Sequence, residues 1–271
     1  MDKMVQEKNV NAANWVVSFF AKTLSIAEME VRKLRHDPTE LITRAVQPAL
    51  WLLIFGEVFT RIHLIPTGNL SYLSFITPGI LAQSVLFIAI FYGIAVIWER
   101  DLGILHKFLV SPTPRQALIL GKALSAGVRA LSQVAIIFVL AVLIGVGINW
   151  NPINLTLVVV VAILASSLFS TFSLIIASLV KTRERFMGIG QILTMPLFFA
   201  SNAIYPLSMM PSWLQIVARV NPLTYAVDAM RGLMIKGGVS TYGVGFDLLV
   251  LFVVTIALVL IGAKLYPKVV I

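Results

Sequence analysis

Cysteine is absent from the 271-residue chain, which excludes structural disulfides and cysteine-based metal sites. Charge is scarce as well, because Asp, Glu, Lys and Arg make up 12% of the residues, against about 25% in soluble domains. No polar stretch is long enough to form a separate soluble domain. With 59% hydrophobic residues, the chain is predicted to be a polytopic membrane protein, and any energy-coupling domain must be another polypeptide.

Several catalytic motifs are also missing. The chain has no G-x-x-x-x-G-K-[ST] phosphate loop, since Gly121-Lys122 lacks the preceding glycine, and it has no G-x-S-x-G nucleophile elbow. Its histidines lie in separate segments without metal-ligand spacing: His36, His63 and His106. Ionisable residues within the apolar runs, the usual mark of proton relays, are almost absent. These absences argue against an enzyme, an ATPase or a proton-coupled transporter in this chain.

The net charge of +9 indicates orientation in a membrane rather than nucleic-acid binding, because most basic residues flank apolar runs. With the N-terminus inside, sixteen Lys and Arg residues lie on the inner side and four on the outer side, with Arg129 unassigned. The outer four are Arg61, Arg219, Arg231 and Lys236. The positive-inside rule therefore predicts a multi-pass protein of the cell membrane with both termini in the cytoplasm.

Apolar runs predict an all-α fold with six transmembrane helices, at about 45–62, 78–98, 117–148, 155–180, 186–203 and 246–265. The third run is longer than a span needs, so its first turns, with Lys122 and Arg129, are expected to protrude or snorkel toward the cytoplasm. Residues 1–36 form a separate cytoplasmic N-terminus, in which 15–36 has the pattern of an amphipathic helix at the membrane surface. The six-span domain is then 37–271.

The segment 204–238 is too apolar for a water-exposed loop. Pro206, Pro211 and Pro222 interrupt it too often for a single span. It is predicted to form short re-entrant helices at the outer face, since irregular backbone at membrane depth must be buried by protein or line a cavity.

A charged segment at about 99–112 separates two long apolar runs. Each ionised side chain would cost about 2.5–3.5 kcal/mol at a membrane centre, so the segment is predicted to lie in water. Apolar residues recur in it at helical spacing, at Leu102, Leu105, Phe108 and Leu109, and Ser111-Pro112 ends the pattern. A short amphipathic helix held at a membrane face suits contact with a soluble partner. Simple solvation of its charges is the alternative.

Three groups of residues resemble type-2 ABC exporter permeases. Glu99-Arg100-Asp101-Leu102-Gly103-Ile104-Leu105, then Ser111-Pro112 and Leu120-Gly121-Lys122, resembles the pattern that follows the second span. Tyr72-Leu73 through Phe75 to Pro78-Gly79 looks like the entrance to that span, and Asn221-Pro222-Leu223-Thr224-Tyr225, with Arg231, like the segment before the last one. The resemblance covers most of the chain after about residue 37. Many relatives have threonine at the position of Ile104, which weakens any contact inferred there.

The resemblance implies a half-transporter with two permease subunits, identical or paralogous, above two separate ATP-binding subunits. ATP and Mg would be bound by those partners, and this chain would hold no cofactor. The 15–36 helix would be a connecting helix, and 99–112 the coupling helix seated in a cleft of the ATPase. The implied coupling residues are Glu99, Arg100, Asp101, Gly103, Leu105, Lys107 and Pro112.

The same resemblance places the substrate pathway at the dimer interface, chiefly along the first, second and fifth spans. The polar candidates to line it are Gln83, Ser84, Gln191, Ser201 and Asn202. Hydrogen bonding between packed helices explains each of them equally well. Apolar spans with few charges favour an amphipathic, drug-like or lipid-linked substrate over a small ion. The drug- and nodulation-factor-exporter branch of the family looks closer than the polysaccharide branch.

Three other functions remain open. One is a polysaccharide or glycolipid exporter of the same family. Another is a membrane-embedded enzyme acting on lipids, which would need a clustered acid–base or metal constellation that the sequence does not display. The third is a passive channel or scaffold, which the amphipathic cytoplasmic helices do not exclude.

Overall fold

The computed structural model describes residues 18–26, 28, 32, 46–62, 65–68, 70–103, 114–180 and 182–265. In these ranges the chain is helical apart from short connections, with no β-strand and one isolated antiparallel bridge, between Ile148 and Ile235. The prediction of an all-α membrane protein is confirmed. The division at residue 36 falls outside the described residues and stays a prediction.

The helices are labelled in chain order. They are α1 (18–26), α2 (46–62, of which Trp51–Gly56 is π-helical and Glu57–Ile62 α-helical), α3 (Tyr72–Phe91), α4 (Gly93–Asp101), α5 (Arg115–Leu143), α6 (Pro152–Leu179), α7 (Arg183–Phe199), α8 (Ser212–Val220), α9 (Pro222–Met234) and α10 (Val244–Leu265). Tyr92 alone separates α3 from α4, so the two form one interrupted helix.

Four stretches of the described chain are long and apolar enough to cross a membrane: Tyr72–Asp101, Gln116–Leu143, Pro152–Leu179 and Val244–Leu265. They match the second, third, fourth and sixth predicted spans. Helices α2 and α7 have 17 described residues each, or about 26 Å at 1.5 Å per residue, slightly less than the ~30 Å hydrocarbon core. The count of six spans therefore stays a prediction.

Two predicted boundaries differ from the structure. The second span begins at Tyr72 rather than Pro78, because the Ser71 side chain accepts a hydrogen bond from the Ser74 amide and caps the helix. The third span ends at Leu143 rather than residue 148. There Gly145 has a φ of 77°, and the amide of the next residue donates to the Ala141 carbonyl at 2.9 Å, the hydrogen bonding of a Schellman motif.

Helix α6 occupies the centre of the protein and contacts α3, α5, α9 and α10. Its buried face is rich in small side chains, including Ala165, Ser166 and Ser170. Small residues let neighbouring helix backbones approach closely in a membrane protein. The Ser167 hydroxyl donates to the Ala123 carbonyl of α5 at 3.2 Å. Helix α6 is therefore the scaffold that positions the others.

The long helices extend between two ends of the molecule, each named here after a charged residue. At the Asp101 end, the last turn of α4 meets the starts of α5 and α7 and the end of α6. At the Arg231 end, α9 contacts the start of α3 and the turn after α7. Helices α8 and α9 occupy the segment predicted to be re-entrant; their depth in a membrane stays a prediction.

The bridge at the Arg231 end connects α9 to the loop between α5 and α6. The Lys236 amide donates to the Gly147 carbonyl, and the Asn149 amide donates to the Met234 carbonyl, each at 2.8 Å. The end of α9 is therefore held against the end of α5 by backbone hydrogen bonds.

Candidate functional site

Glu99, in the last turn of α4, is buried against α5. Lys122 Nζ donates to Glu99 Oε2 at 2.6 Å, and the two side chains are only 2% (Lys122) and 8% (Glu99) exposed. The predictions that Glu99 lies in water and that Lys122 protrudes toward the cytoplasm are wrong, because each charge is buried with the other as its partner. Removing one member of a buried ion pair is strongly destabilising.

Gly121, beside Lys122, allows α1 to approach α5. A Cβ at this position would lie 2.8 Å from both the Ile26 Cβ and the Thr23 carbonyl oxygen. Ile26 and Thr23 are buried in this contact. The Gly121-Lys122 pair thus places α1 on one side of α5 and the Glu99 carboxylate on another.

Arg100 and Asp101 contact the connection between α6 and α7. Arg100 Nη1 donates to the Val180 carbonyl at 3.1 Å, and Arg183 Nη2 donates to Asp101 Oδ2 at 2.8 Å. The Arg183 guanidinium carbon also lies 3.3 Å from the centroid of the Trp98 ring, a cation–π geometry. Arg100 therefore reaches the end of α6, and Asp101 reaches the start of α7.

Three consecutive residues at the end of α4 thus contact three different helices or helix ends. We call these three residues, together with Trp98 and the residues that they contact, the junction. It comprises Trp98, Glu99, Arg100, Asp101, Lys122, Val180 and Arg183. Any displacement of the last turn of α4 must move these partners or break their contacts.

Gly103 ends the helix directly after the junction. Its φ is +70°, and its amide donates to the Arg100 carbonyl at 2.9 Å; this left-handed conformation favours glycine. Glu99, Arg100 and Asp101 therefore belong to the last turn of α4, and the coupling role predicted for the segment at about 99–112 stays a prediction. Leu105, Lys107 and Pro112 lie outside the described residues, and the role predicted for them stays a prediction.

Arg129 was expected to snorkel, but its guanidinium carbon lies 4.7 Å from the centroid of the Tyr92 ring, at the break between α3 and α4. Ser125 Oγ donates to Tyr92 Oη at 3.2 Å. Lys122, Ser125 and Arg129 fall at i, i+3 and i+7, hence on one face of α5. This polar stripe was the sequence signal that could have revealed the contact of α5 with α4.

Among the five pathway candidates, Ser84 and Ser201 donate to backbone carbonyls of nearby residues. Ser84 Oγ donates to the Ile80 carbonyl at 2.8 Å, and Ser201 Oγ donates to the Phe198 carbonyl at 2.7 Å. Both side chains are buried. Local hydrogen bonding accounts for them without a substrate.

The other three candidates lie in different environments. Gln83 is buried in α3, and its Nε2 has no acceptor among the described residues. Gln191 is exposed on α7. Asn202 is buried at the Arg231 end, with its Nδ2 3.4 Å from Asp228 Oδ1. The structure therefore places these residues in different environments, and the pathway role of all five stays a prediction.

Arg231 is only 6% exposed, although it was expected among the outer flanking charges. Its Nη2 donates to the Asn202 carbonyl at 2.6 Å and to the Phe75 carbonyl at 3.4 Å. Its guanidinium carbon lies 3.9 Å from the centroid of the Phe75 ring. One buried cation thus connects α9 to α3 and to the turn after α7.

Two buried carboxylates lie on the same side of the molecule. Ser240 Oγ is 2.9 Å from both Asp228 Oδ2 and Asp247 Oδ2, and Asp228 Oδ2 also accepts from the Tyr242 amide at 2.9 Å. Neither carboxylate is solvent-exposed. Ionisable groups are therefore more frequent within the helical core than hydropathy predicted.

Comparison with known proteins gives a family match. The family model described as "ABC-2 type transporter" matches residues 21–235. A putative transport permease, ycf38, of Cyanophora paradoxa is 30% identical over 236 residues, covering 85% of this chain and 79% of the relative. The daunorubicin resistance ABC transporter permease protein DrrB1 of Streptomyces coeruleorubidus is 26% identical, covering 80% and 75%. The probable doxorubicin resistance permease protein DrrC of Mycobacterium tuberculosis is 24% identical, covering 84% and 82%.

Proposed function

The chain belongs to the ABC-2 type transporter permease family, and on that premise we propose that it is the membrane subunit of an exporter driven by a separate ATP-binding subunit. The junction carries this proposal: Glu99, Arg100 and Asp101 contact α5, the end of α6 and the start of α7 directly before the segment 104–113. ATP and its Mg²⁺ are bound by the partner, and this chain holds no cofactor.

The Asp101 end faces the cytoplasm, and α2 and α7 complete six spans. This orientation follows from the basic residues, sixteen of which fall on that side of the predicted topology against four on the other. Both termini are then cytoplasmic, and α8 and α9 form the re-entrant outer element of a cell-membrane protein.

The partner acts on the membrane helices through the junction. When the ATPase subunits close on ATP, the coupling segment moves the last turn of α4, and the Glu99–Lys122 and Asp101–Arg183 contacts pass this movement to α5 and α7. A ligand shifts such an equilibrium only by its differential affinity for the two states, so ATP must bind the closed arrangement more tightly.

A second permease copy, identical or paralogous, covers α2 and α7. Leu53, Ile54 and Phe55 of α2 and Ile192 of α7 are between 44% and 71% exposed in the single chain. Gln191, beside Ile192, is exposed too, and an amide facing hydrocarbon without a partner is costly. Gln191 therefore faces either the second copy or a wet pathway between the two.

The substrate is an amphipathic, drug-like or lipid-linked molecule moved outward. Two relatives carry names that refer to daunorubicin and doxorubicin resistance. Spans with few charges suit a molecule with a large apolar part. A polysaccharide or glycolipid substrate is the alternative within the same family.

Co-purification tests the proposal. The tagged chain is expected to retain an ATP-binding subunit from its native membrane, and Leu105→Asp is expected to abolish that association by placing a charge on the apolar face of the coupling segment. Ile153→Asp is the matched control, because Ile153 is 69% exposed at the other end of the molecule and an acidic residue is tolerated at a helix N-terminus. Substrate transport without any nucleotide-hydrolysing partner would overturn the proposal.

A further inference from the structure

A cavity of about 450 Å³ opens at the Arg231 end. Its walls come from the α2–α3 connection, the start of α3, the turn after α7, and α9 with the loop that follows it; the lining residues used below are Phe75, Asn202, Ser208 and Arg231. This volume is in the range of small-molecule sites, about 300–1,000 Å³. The cavity lies at the opposite end of the molecule from the junction.

Arg231 brings a buried positive charge to this cavity with donors to spare. Its Nε and Nη2 donate to backbone carbonyls, whereas its Nη1 has no acceptor among the described residues. No carboxylate of the described chain forms an ion pair with Arg231. Asp228, whose charge acts on Arg231 from nearby, accepts instead from Ser240, Tyr242 and Asn202. The unused Nη1 of Arg231 can form a charge-assisted hydrogen bond, so the site is suited to an anion.

Asn202 adds an unused acceptor to the same cavity. The side chain is 2% exposed, and its Oδ1 has no donor among the described residues. Its amide orientation is fixed by Asp228, since the Nδ2 side faces the Asp228 carboxylate at 3.4 Å and the reverse orientation would set two oxygens against each other. Arg231 and Asn202 both line the cavity, and they have a cationic donor and a neutral acceptor without partners among the described residues.

We propose that this cavity binds a phosphate ester that carries a hydroxyl group, such as the glycerol phosphate head group of an anionic lipid. Arg231 Nη1 donates to a phosphate oxygen, and Asn202 Oδ1 accepts from the hydroxyl. Val239, 75% exposed at the rim of the cavity, provides apolar surface for the chain of a lipid. That the lipid comes from the outer leaflet rests on the orientation in the proposed function.

The test measures binding to the purified permease alone in an uncharged maltoside detergent. One arm titrates glycerol 3-phosphate and the other titrates short-chain phosphatidylglycerol, each followed by calorimetry and by the thermal unfolding midpoint. Binding of the lipid only identifies a lipid head-group site, and binding of both identifies a site for the phosphate ester itself. Failure of both ligands to bind would overturn the proposal.

Charge substitutions separate the cavity from the rest of the surface. Ser208→Asp adds a negative charge at an exposed position that lines the cavity, and it is expected to weaken binding at least tenfold. Ser212→Asp adds the same charge at an exposed position of α8 that does not line it, and binding is expected to be unchanged. Arg231→Gln should abolish binding, and because that variant is also at risk of misfolding, the two serine variants decide. Equal affinity of Ser208→Asp and Ser212→Asp would refute the site.

The two proposals fail separately. The binding measurement needs no ATPase, so loss of head-group binding would leave the co-purification result unaffected. Conversely, a chain that retains no ATP-binding subunit can still be titrated with both ligands.

Discussion

The two ends of the molecule bury charge in opposite ways. At the Asp101 end, Glu99 and Asp101 each meet a cation from another helix, in the pairs Glu99–Lys122 and Asp101–Arg183. At the Arg231 end, the cation meets carbonyl oxygens and an aromatic face, while two carboxylates share one serine hydroxyl. Paired charges connect helices mechanically, whereas an unpaired cation leaves electrostatic attraction for a ligand. The first arrangement suits force transmission and the second suits recognition.

The largest expected effect is at the buried pair. Lys122→Met removes the cation that lies 2.6 Å from the buried Glu99 carboxylate, which is expected to lower the free energy of unfolding by about 3–5 kcal/mol. The double variant Glu99→Gln, Lys122→Met removes both charges and is expected to recover most of that loss. Denaturant unfolding in detergent measures both. A single variant as stable as the wild type would show that the two ends do not differ in this respect.

Substitution of the two carboxylates at the Arg231 end is expected to lower the free energy of unfolding by unequal amounts. The Ser240 hydroxyl lies 2.9 Å from both Asp228 Oδ2 and Asp247 Oδ2. Asp228 accepts further hydrogen bonds from Tyr242 and Asn202, whereas Asp247 Oδ1 has no donor among the described residues.

Asp228→Asn should therefore lower the free energy of unfolding by about 1–3 kcal/mol through unsatisfied donors. Asp247→Asn, which keeps a donor toward Ser240, should cost clearly less. The same unfolding measurement compares them, and the reverse order would contradict the larger hydrogen-bonding role of Asp228.

Two glycines with similar left-handed backbone conformations, one at each end of the molecule, allow the two ends to be compared. Gly103 and Gly68 have φ of +70° and +66°, and a Cβ at either would meet nothing within 4 Å. Gly103→Ala and Gly68→Ala should each cost about 1–2 kcal/mol of stability, from the left-handed conformation alone. Only Gly103→Ala should also weaken co-purification of the ATP-binding subunit, since it lies next to the junction. Equal loss of the partner in both variants would remove the functional distinction.

The smallest stability effect is expected at Arg183. Its pair with Asp101 is partly exposed, at 32% and 38%, so Arg183→Ala should cost less than about 1 kcal/mol. The amount of substrate transported per ATP hydrolysed should nevertheless fall, because α7 loses its ion pair with α4. Arg185→Ala, an exposed arginine in the same turn, is the control and should change neither quantity. A normal ratio in Arg183→Ala would argue against transmission through this contact.

Hydropathy alone predicted the long helices, because runs such as those of α6 and α10 are apolar on every side. It did not predict the start of α3, since the cap depends on one hydrogen bond of Ser71. Nor did it predict the burial of Glu99 with Lys122, which are 23 residues apart. A hydropathy window along the chain assigns each charged residue to water. The pair is buried only because α4 and α5 bring both charges to one place.

The residues of the Arg231 end were visible in the sequence, but their relation was not. In the sequence, Arg231 is part of a motif and Asn202 is a polar residue within a predicted span. Their contact joins two turns 29 residues apart, and the cavity between them exists only once α9 folds back against α3. The coupling roles of Leu105, Lys107 and Pro112 stay predictions from the sequence.

Helix α5 has a consequence for the energetics of the whole subunit. Its 29 residues, about 44 Å in length, begin near Lys122 in the junction and end at the loop whose backbone is hydrogen-bonded to α9. If α5 shifts as one body, thermodynamic linkage requires that occupancy at one end changes affinity at the other by the same factor. A head group bound beside Arg231 would then change the affinity of the partner for nucleotide. Bound nucleotide would in turn change the affinity of the cavity for the head group.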